Sequence, residues 1–504
     1  MAEGGESISV SSQSRRPSYS ESPRQGMPGR HQAGAQLANG AFPEFGMVAH
    51  DVEIEVLKRE VGDLRFVVVA GDATELRYRI WLSIEGARRF PMKIPSADGF
   101  LPCLLSLSIA ACFAPNLAAQ DVAITNARII VGNGPVVPSG TIVVRGGKIV
   151  SAGAGAANTQ GLKVIDAKGM SAMPGYIDAH KHINTGPAEK EQMQSLLEAG
   201  YTTILSAGGP GDGNLTLRDH IESGMINGPR IIPSERVNLR GTPDEARAAV
   251  RAMAAKGIKH TGEIALTPEP GPTPQEIEVL KAVVDEAAKV GVQVNVHAVS
   301  TPAMVAAIDA GVRRLVHLPN KDWTSREAAA KVASTNSIVL GLIAFGAPII
   351  DRASPAPAQV TFEKDNSTRF RDGKAWPEAI AGANRDANGK AMGTEAGYTI
   401  VNARTIWDAS GGKGIGYCTD QNYADVVVLE HELKSYSIMF SMQDIFRIIG
   451  PNTAEYLHMS DQIGTLEAGK LADIILLDGN PLENIYPMLR TKVVIKGGKV
   501  VDKR

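Results

Sequence analysis

Short apolar runs that end in polar side chains recur through the last two thirds of the chain. The first run closes on a pair of histidines and the later ones on single polar residues: His180 and His182, His297, His317, and Asp420. Short apolar runs bounded in this way are typical of strands buried in a parallel sheet. We therefore predict strands that end at these residues.

Segments with helical periodicity separate the apolar runs. Residues 243–256 and 273–290 repeat apolar side chains at helical spacing, and a third helix-like segment, residues 301–310, lies between His297 and His317. Strand, helix and parallel strand in this order form the βαβ unit. In an α/β fold of the (β/α)8 barrel type, the C-terminal ends of all strands face one mouth. Such a barrel would bring the polar residues at the strand ends together.

Two segments far apart in the chain share one pattern, two short apolar strands around a Gly-Gly pair. They are residues 142–150 and 493–501, and each is a strong hairpin signal. We expect both to pair in one small β-sandwich, with residues 121–172 as its first part, residues 463–504 as its second, and the barrel in residues 173–462. Two unrelated hairpins are the alternative.

The N-terminal part of the chain differs in composition from the rest. Residues 7–39 are rich in Ser, Arg, Gln, Gly and Pro without apolar periodicity, so we expect residues 1–91 to be disordered or a non-native extension. Residues 92–120 have the order of a signal peptide: a basic start, an apolar core too short for a membrane span, and small residues at the end. With translation starting at Met92 the protein would be periplasmic or secreted, and Cys112 is an alternative lipid-attachment site.

The charge balance argues against one broad class of function. With a formal net charge of -2 over 504 residues, the chain lacks the basic footprint of a nucleic-acid-binding protein. Two of its three cysteines fall within the signal-like segment, which leaves Cys418 and no internal disulfide in the mature chain. Cys418 lies close to Asp420 in sequence, but a free cysteine on a buried strand is most often a small apolar core residue.

The residue types at the strand ends suit a metal centre. Histidines spaced i, i+2 on a strand project onto the same face, so His180 and His182 could hold one divalent ion with neutral imidazoles. The pair alone could equally be buried or solvated without a ligand. His297, His317 and Asp420 at the ends of other strands favour the metal site.

Several stretches together resemble the amidohydrolase superfamily. They are residues 174–182, His297, His317, Thr419 with Asp420, and residues 463–474. The resemblance runs from about residue 121 to the C-terminus and is strongest to the imidazolonepropionase-like and Xaa-Pro dipeptidase-like branch. Long stretches also resemble bacterial members that hydrolyse ochratoxin A.

The resemblance implies two zinc ions per subunit. By that analogy the ligands divide into two sets: His180, His182 and Asp420 for the first ion, and His297 and His317 for the second. A residue from the fourth barrel strand would bridge the ions, either a glutamate or a carboxylated lysine. Two alternatives remain for this bridge, Glu263 and Lys259.

The same resemblance implies hydrolysis of an amide bond, with Asp420 moving a proton from the attacking water to the leaving nitrogen. The implied substrate is a small N-acyl amino acid or dipeptide that releases an amino acid. Ochratoxin A, which would give ochratoxin alpha and phenylalanine, fits that description. Deamination or opening of a cyclic amide in the same metal cage is one alternative, and a noncatalytic metal-binding protein is another. Relatives also imply a homo-oligomer.

Two residues that follow strands are candidate substrate contacts, Asn184 and Arg236. The planar fork of arginine suits a substrate carboxylate, although Arg236 could also be a solvated loop residue. Residues 351–397 form a polar stretch longer than an ordinary loop, and we expect it to lie over the barrel mouth as a lid.

Overall fold

The computed structural model describes residues 120–183, 185–341, 389–420 and 425–501, together with three short strands nearer the N-terminus. The chain divides into two compact units, Met1–Phe113 and Ala114–Arg504. In the first unit, β1 (Glu60–Val61), β2 (Leu64–Val69) and β3 (Arg79–Ile84) pair in an antiparallel sheet. Apart from these three strands, residues 1–119 lie outside the described residues. They include most of the stretch 1–91, predicted to be disordered or a non-native extension, and all but the last residue of the signal-like segment 92–120, with Met92 and Cys112.

The second unit carries the remaining elements. Its strands are β4 (Val122–Ile130), β5 (Val136–Arg145), β6 (Lys148–Ala154), β7 (Lys163–Asp166), β8 (Ser171–Pro174), β9 (Tyr176–Lys181), β10 (Tyr201–Ser206), β11 (Arg230–Ile232), β12 (Ser234–Glu235), β13 (His260–Ala265), β14 (Gln293–His297), β15 (Arg314–Val316), β16 (Ile338–Gly341), β17 (Ile415–Tyr417), β18 (Ile474–Leu477), β19 (Thr491–Lys496) and β20 (Lys499–Val500). Its α-helices are α1 (Glu189–Ala199), α2 (Gly211–Glu222), α3 (Pro243–Ala255), α4 (Pro274–Val290), α5 (Thr301–Asp309), α6 (Arg326–Ser334), α7 (Gly389–Ala409), α8 (Asp425–Tyr436), α9 (Met442–Arg447) and α10 (Thr453–Tyr456). A π-helical turn (Ile448–Asn452) precedes α10, and a 3-10 turn (Tyr486–Leu489) precedes β19.

Strands from both ends of this unit form one eight-stranded sheet in the order β20-β19-β18-β8-β4-β5-β6, with β7 paired beside β4. β18 pairs with β8 on one side and with β19 on the other, which confirms that the two ends meet. The two Gly-Gly turns are alike: Gly146 and Gly147 have φ of 54° and 77°, and Gly497 and Gly498 have 54° and 80°. Positive φ at both central positions marks the type I′ turn, which matches the twist of the flanking strands and which glycine adopts without strain.

The barrel strands lie side by side in the order in which they occur in the chain. β9, β10 and β11 are parallel neighbours, and β12 to β17 form a second parallel run. Only Pro233 separates β11 from β12. The last strand returns to the first, because Asp420 N donates to His180 O at 2.9 Å and His182 N donates to Asp420 O at 3.3 Å. This is the strand arrangement of the predicted (β/α)8 fold.

The predicted helices in residues 243–256, 273–290 and 301–310 are confirmed as α3, α4 and α5. Thr242 and Thr273 cap the first two. In each capping box the threonine hydroxyl accepts from a backbone N–H in the first turn, and a glutamate side chain there accepts from the threonine N–H. These caps set where each outer helix begins after its strand.

The predicted lid lies partly outside the described residues and is partly wrong. Residues 351–388 are outside, whereas residues 389–397 begin α7 rather than continue a loop. The C-terminal half of α7 buries Ala403, Ile406 and Trp407, and such packing outweighs the low helix propensity of its glycines. In the described part of the chain, every helix falls short of the length or hydrophobicity that a bilayer span requires.

Candidate metal centre

The predicted ligands lie along one end of the barrel strands. Their positions are His180 in β9 and His182 just after it, Glu263 in β13, His297 at the end of β14, His317 after β15, and Asp420 after β17. Possible ligand atoms lie within 4.8 Å of one another in three overlapping sets: His180, His317 and Asp420; His180, His182 and Glu263; and Glu263, His297 and His317. The fold therefore brings together residues that are far apart in sequence.

Glu263 is the centre of this cluster. Its Oε2 faces three histidines, at 3.0 Å from His297 Nδ1, 3.5 Å from His180 Nε2 and 3.9 Å from His317 Nε2. Its Oε1 lies 3.7 Å from His182 Nε2. Because two of the three ligand sets share this carboxylate, Glu263 occupies the position expected of a bridging ligand.

Lys259, the other candidate for the bridge, is not brought to the cluster. It is exposed and precedes β13, where its carbonyl accepts from Gln293 N at 2.8 Å. A strand rises about 3.3 Å per residue, so the backbone of Lys259 lies roughly 13 Å before that of Glu263, toward the other end of the barrel. Of the two alternatives, only Glu263 stands among the histidines.

Asp420 faces three of the same histidines. Its Oδ1 lies 3.2 Å from His182 Nε2, 3.3 Å from His180 Nε2 and 3.7 Å from His317 Nε2. Asp420 and His317 both have positive φ, 62° and 67°, which residues other than glycine seldom adopt. Backbone strain of this kind persists where the surrounding structure holds a functional side chain in place.

The cluster is closed on one side and open on the other. The side chains of His180 and His317 are 2% and 4% exposed, whereas those of His182 and His297 are 34% and 29% exposed. A small molecule can therefore reach the ligand atoms from the side of His182 and His297.

The carboxylates and the buried imidazoles shift one another's pKa values. Burial lowers the pKa of His180, but the attraction of Asp420 and Glu263 outweighs burial and raises it to about 9. Burial raises the pKa of each carboxyl, yet the neighbouring histidines, His180 first, hold the pKa of Glu263 and of Asp420 well below the usual range. Burial dominates at His317 and lowers its pKa to about 3. Two ionised carboxylates at one site favour a bound cation.

The donor set fits divalent metal ions. Imidazole nitrogens and carboxylate oxygens are ligands that zinc accepts. Among the described residues, the buried atom His180 Nε2, which faces both carboxylates, has no hydrogen-bond partner. A buried polar atom without a partner is costly and calls for an explanation, and coordination of a metal ion by His180 supplies one.

Arg236 borders the open side of the cluster. A terminal guanidinium nitrogen donates to Glu263 Oε1 at 3.0 Å, and the side chain is 57% exposed. The side chain of Arg236 packs against two glycines, Gly208 and Gly262. A Cβ atom added to Gly208 would lie 2.9 Å from Nε of Arg236, and a Cβ atom added to Gly262 would lie 3.1 Å from Cγ of Arg236. These glycines make room for the arginine. Asn184, the other candidate substrate contact, is outside the described residues.

Three buried polar residues behind the cluster were not predicted to matter. Asp178, Lys181 and Thr419 are 0%, 1% and 0% exposed. A signal was present, because Asp178 interrupts an apolar run and charged residues are seldom buried without a partner. Cys418 is buried as predicted, with its Sγ 2.7 Å from Gly341 O, and burial raises the pKa of its thiol.

The chain is similar to several known proteins. It is 22% identical over 348 residues to an adenine deaminase from Desulforamulus reducens, which covers 68% of this chain and 52% of that protein; the chain thus spans about half the length of this curated relative. The crystal structure of a Xaa-Pro dipeptidase with bound methionine in the active site matches with a TM-score of 0.61 at 21% identity, covering 76% of this chain and 100% of that one. The crystal structure of A. niger ochratoxinase matches with a TM-score of 0.59 at 18% identity, covering 76% and 96%.

At these identities the structural matches establish the fold alone, and the expected likeness to ochratoxin-hydrolysing enzymes is distant. The sequence model of the amidohydrolase family matches residues 171–501, a span that includes every residue of the cluster. Because this match covers well over half of the chain, the protein belongs to the amidohydrolase family.

Proposed function

We propose that the protein is a zinc-dependent amidohydrolase of the carboxypeptidase or dipeptidase type, which releases an amino acid from an N-acyl amino acid or a dipeptide. The observation that carries this proposal is the position of Glu263. Its carboxylate lies between the pair formed by His180 and His182 and the pair formed by His297 and His317. One shared carboxylate with histidines on both sides is the arrangement that a two-ion site requires.

Zinc bound at this cluster would supply a water whose pKa is lowered to about 7 and would polarise the amide carbonyl. Asp420 is the proton carrier of the proposal. Its carboxylate is ionised and is held by His180 and His182 at the edge of the cluster. It can accept the proton of the attacking water and return it to the leaving nitrogen, which makes the amine a better leaving group.

Arg236 supports a substrate with a free carboxylate. Its guanidinium is exposed on the open side of the cluster and contacts Glu263 through a terminal nitrogen. Arginine has five N–H donors in a planar fork, which can pair with a carboxylate through two parallel hydrogen bonds. The amino acid released by the proposed reaction carries such a carboxylate.

Trp323 is the contact that we propose for an aromatic acyl group. The indole is 58% exposed, in the segment between His317 and α6, and its ring centroid lies 4.4 Å from that of Tyr398. Asn402 fixes this segment through hydrogen bonds to three backbone groups: Pro319 O, Asp322 O and Thr324 N. An exposed indole can stack on an aromatic ring, and the acyl part of ochratoxin A has such a ring.

Deamination at the same metal site is a second candidate reaction, and the similarity to adenine deaminase supports it. A purine amine has no carboxylate for Arg236 to bind. We therefore rank deamination below cleavage of an N-acyl amino acid.

The test combines elemental analysis of the purified protein with a substrate panel of N-acyl amino acids, dipeptides, ochratoxin A and adenine. We expect two zinc ions per subunit and hydrolysis of at least one carboxylate-bearing amide. Full zinc occupancy with turnover of adenine alone would favour the deaminase. Protein without metal and without activity toward any member of the panel would contradict the enzyme proposal.

A further inference from the structure

β9 and β17, together with the residues that directly follow them, carry the candidate ligands His180, His182 and Asp420, yet the backbone pairing between the two is short. Over the described residues it consists of one parallel bridge between Lys181 and Asp420, which is formed by the hydrogen bonds from Asp420 N to His180 O and from His182 N to Asp420 O. By contrast, β16 and β17 pair over three positions. The seam between the first and last barrel strands therefore needs other contacts to set its register.

The side chain of Asp178 joins the two strands. Its Oδ1 accepts from His180 N and from Thr419 N, each at 3.2 Å, and its Oδ2 accepts from the Thr419 hydroxyl at 2.5 Å. A single carboxylate thus bonds to backbone on both sides of the seam. The two amides belong to a ligand, His180, and to the residue before another ligand, Asp420.

Lys181, the last residue of β9, lies between His180 and His182 in sequence and extends this network. Its Nζ donates to Thr419 Oγ1 at 3.2 Å, so the threonine hydroxyl accepts from the lysine while it donates to Asp178. Because all three side chains are buried, each polar contact is made away from bulk water. Fully satisfied buried networks rigidify a structure and specify one geometry, whereas partly satisfied ones are costly.

We infer that Asp178 is a positioning residue, which acts through Thr419 to hold β9 and β17 in the register that lets His180, His182 and Asp420 share one metal ion. Its contacts are with His180 N and Thr419, not with the open side of the cluster. The hydrogen bond from Thr419 N to Asp178 fixes the backbone just before Asp420, whose φ of 62° is left-handed. Fixing the backbone there directs the carboxylate of Asp420 into the cluster. The inference rests on the proposed function, since it assumes that these ligands bind metal.

The experiment measures zinc affinity by competition with a chromophoric chelator, alongside thermal stability. Thr419→Val removes the hydroxyl at nearly constant shape, Thr419→Ser restores it, and Asp178→Asn removes the carboxylate charge. The matched control is Thr203→Val: Thr203 is equally buried on β10, and its hydroxyl accepts from Arg230 at 2.7 Å, away from the ligands.

We expect Thr419→Val and Asp178→Asn to bind zinc about 10- to 100-fold more weakly than the wild type, because loss of a residue that orients metal ligands typically weakens metal affinity by this amount. Thr419→Ser should bind zinc within about threefold of the wild type. Thr203→Val should lose thermal stability without losing zinc affinity. If Asp178→Asn does not fold, the contrast between Thr419→Val and Thr419→Ser decides the matter.

Zinc affinity in Thr419→Val equal to that in Thr203→Val would overturn the inference while leaving the proposed function intact. Wild-type protein that binds no zinc would overturn the proposed function and the inference together. The two failures are therefore distinguishable in one titration series.

Discussion

Arg236 donates to Oε1 of Glu263 at 3.0 Å, so an exposed arginine at the edge of the cluster is paired directly with its central carboxylate. The other oxygen of Glu263 faces His297, His180 and His317. Glu263 therefore connects the proposed metal ligands with the group proposed to bind substrate. Changes at these two residues should have different and separable effects.

Arg236→Ala should raise the KM for N-acyl amino acids by about 10- to 100-fold with a smaller change in kcat, because a charge-assisted hydrogen bond contributes about 1.5–3 kcal/mol. Arg236→Lys should recover part of the affinity, since it keeps the charge without the planar fork. Steady-state kinetics with a free and an amidated carboxylate on the same substrate provide the control. An equal rise in KM for both substrates would show that Arg236 acts on Glu263 and not on the substrate.

Glu263→Gln should lower zinc occupancy and reduce kcat/KM by roughly 100-fold or more, since the amide keeps the size of the side chain but loses the charge shared by two ions. Lys259→Gln is the matched control, because Lys259 is exposed and lies outside the cluster. Elemental analysis and kinetics on both variants would be compared. Loss of zinc in Lys259→Gln together with its retention in Glu263→Gln would assign the bridge to the lysine.

Asp420→Asn should reduce kcat by about 100- to 10,000-fold, the range over which a positioned proton carrier contributes, while the protein keeps much of its metal through the remaining ligands. The measurement is kcat normalised to the zinc content of each preparation. Wild-type turnover in this variant would remove Asp420 from the mechanism.

The metal-free protein should be most stable near pH 6.5. His180 has a pKa raised to about 9 in the folded state against a usual 6.5, so its contribution of about 3 kcal/mol is fully present below pH 6.5 and is lost as the pH rises through 9. Burial lowers the pKa of His260 and of His317 to about 3. These two neutral histidines therefore cost stability as the pH falls from 6.5 toward 3.

Zinc should remove the alkaline decline, because a coordinating imidazole is neutral and the metal replaces its proton. Thermal unfolding of chelator-treated and zinc-loaded protein, across about pH 5 to 9, measures both curves. A metal-free protein whose stability climbs steadily between pH 6.5 and 9 would mean that His180 is not held in its charged form.

Much of the cluster could be predicted because each residue ends an apolar run. His297 is the last residue of β14, His317 directly follows β15, and Asp420 comes three residues after β17. The choice between Glu263 and Lys259 could not be made from the sequence. β13 has the sequence His-Thr-Gly-Glu-Ile-Ala. Because its first half is polar, the sequence does not show where the strand begins, and so it does not show whether Lys259 or Glu263 lies nearer the end that carries the histidines.

The network of Asp178 and Thr419 depends on a contact between residues 241 positions apart. Local patterns of apolar and polar residues carry no information on such a pairing, which exists only once the first and last barrel strands meet. The beginning of α7 was missed for a related reason. Its glycines favour a loop locally, whereas the helix is stabilised by the burial of Ala403, Ile406 and Trp407 against the rest of the fold.

The most direct test of the account is an anomalous difference map, at the zinc absorption edge, from crystals of the zinc-loaded protein. We predict two zinc peaks, one beside His180, His182 and Asp420 and the other beside His297 and His317, with the carboxylate of Glu263 between the two ions. A single peak, or peaks that Glu263 does not bridge, would contradict the two-metal site.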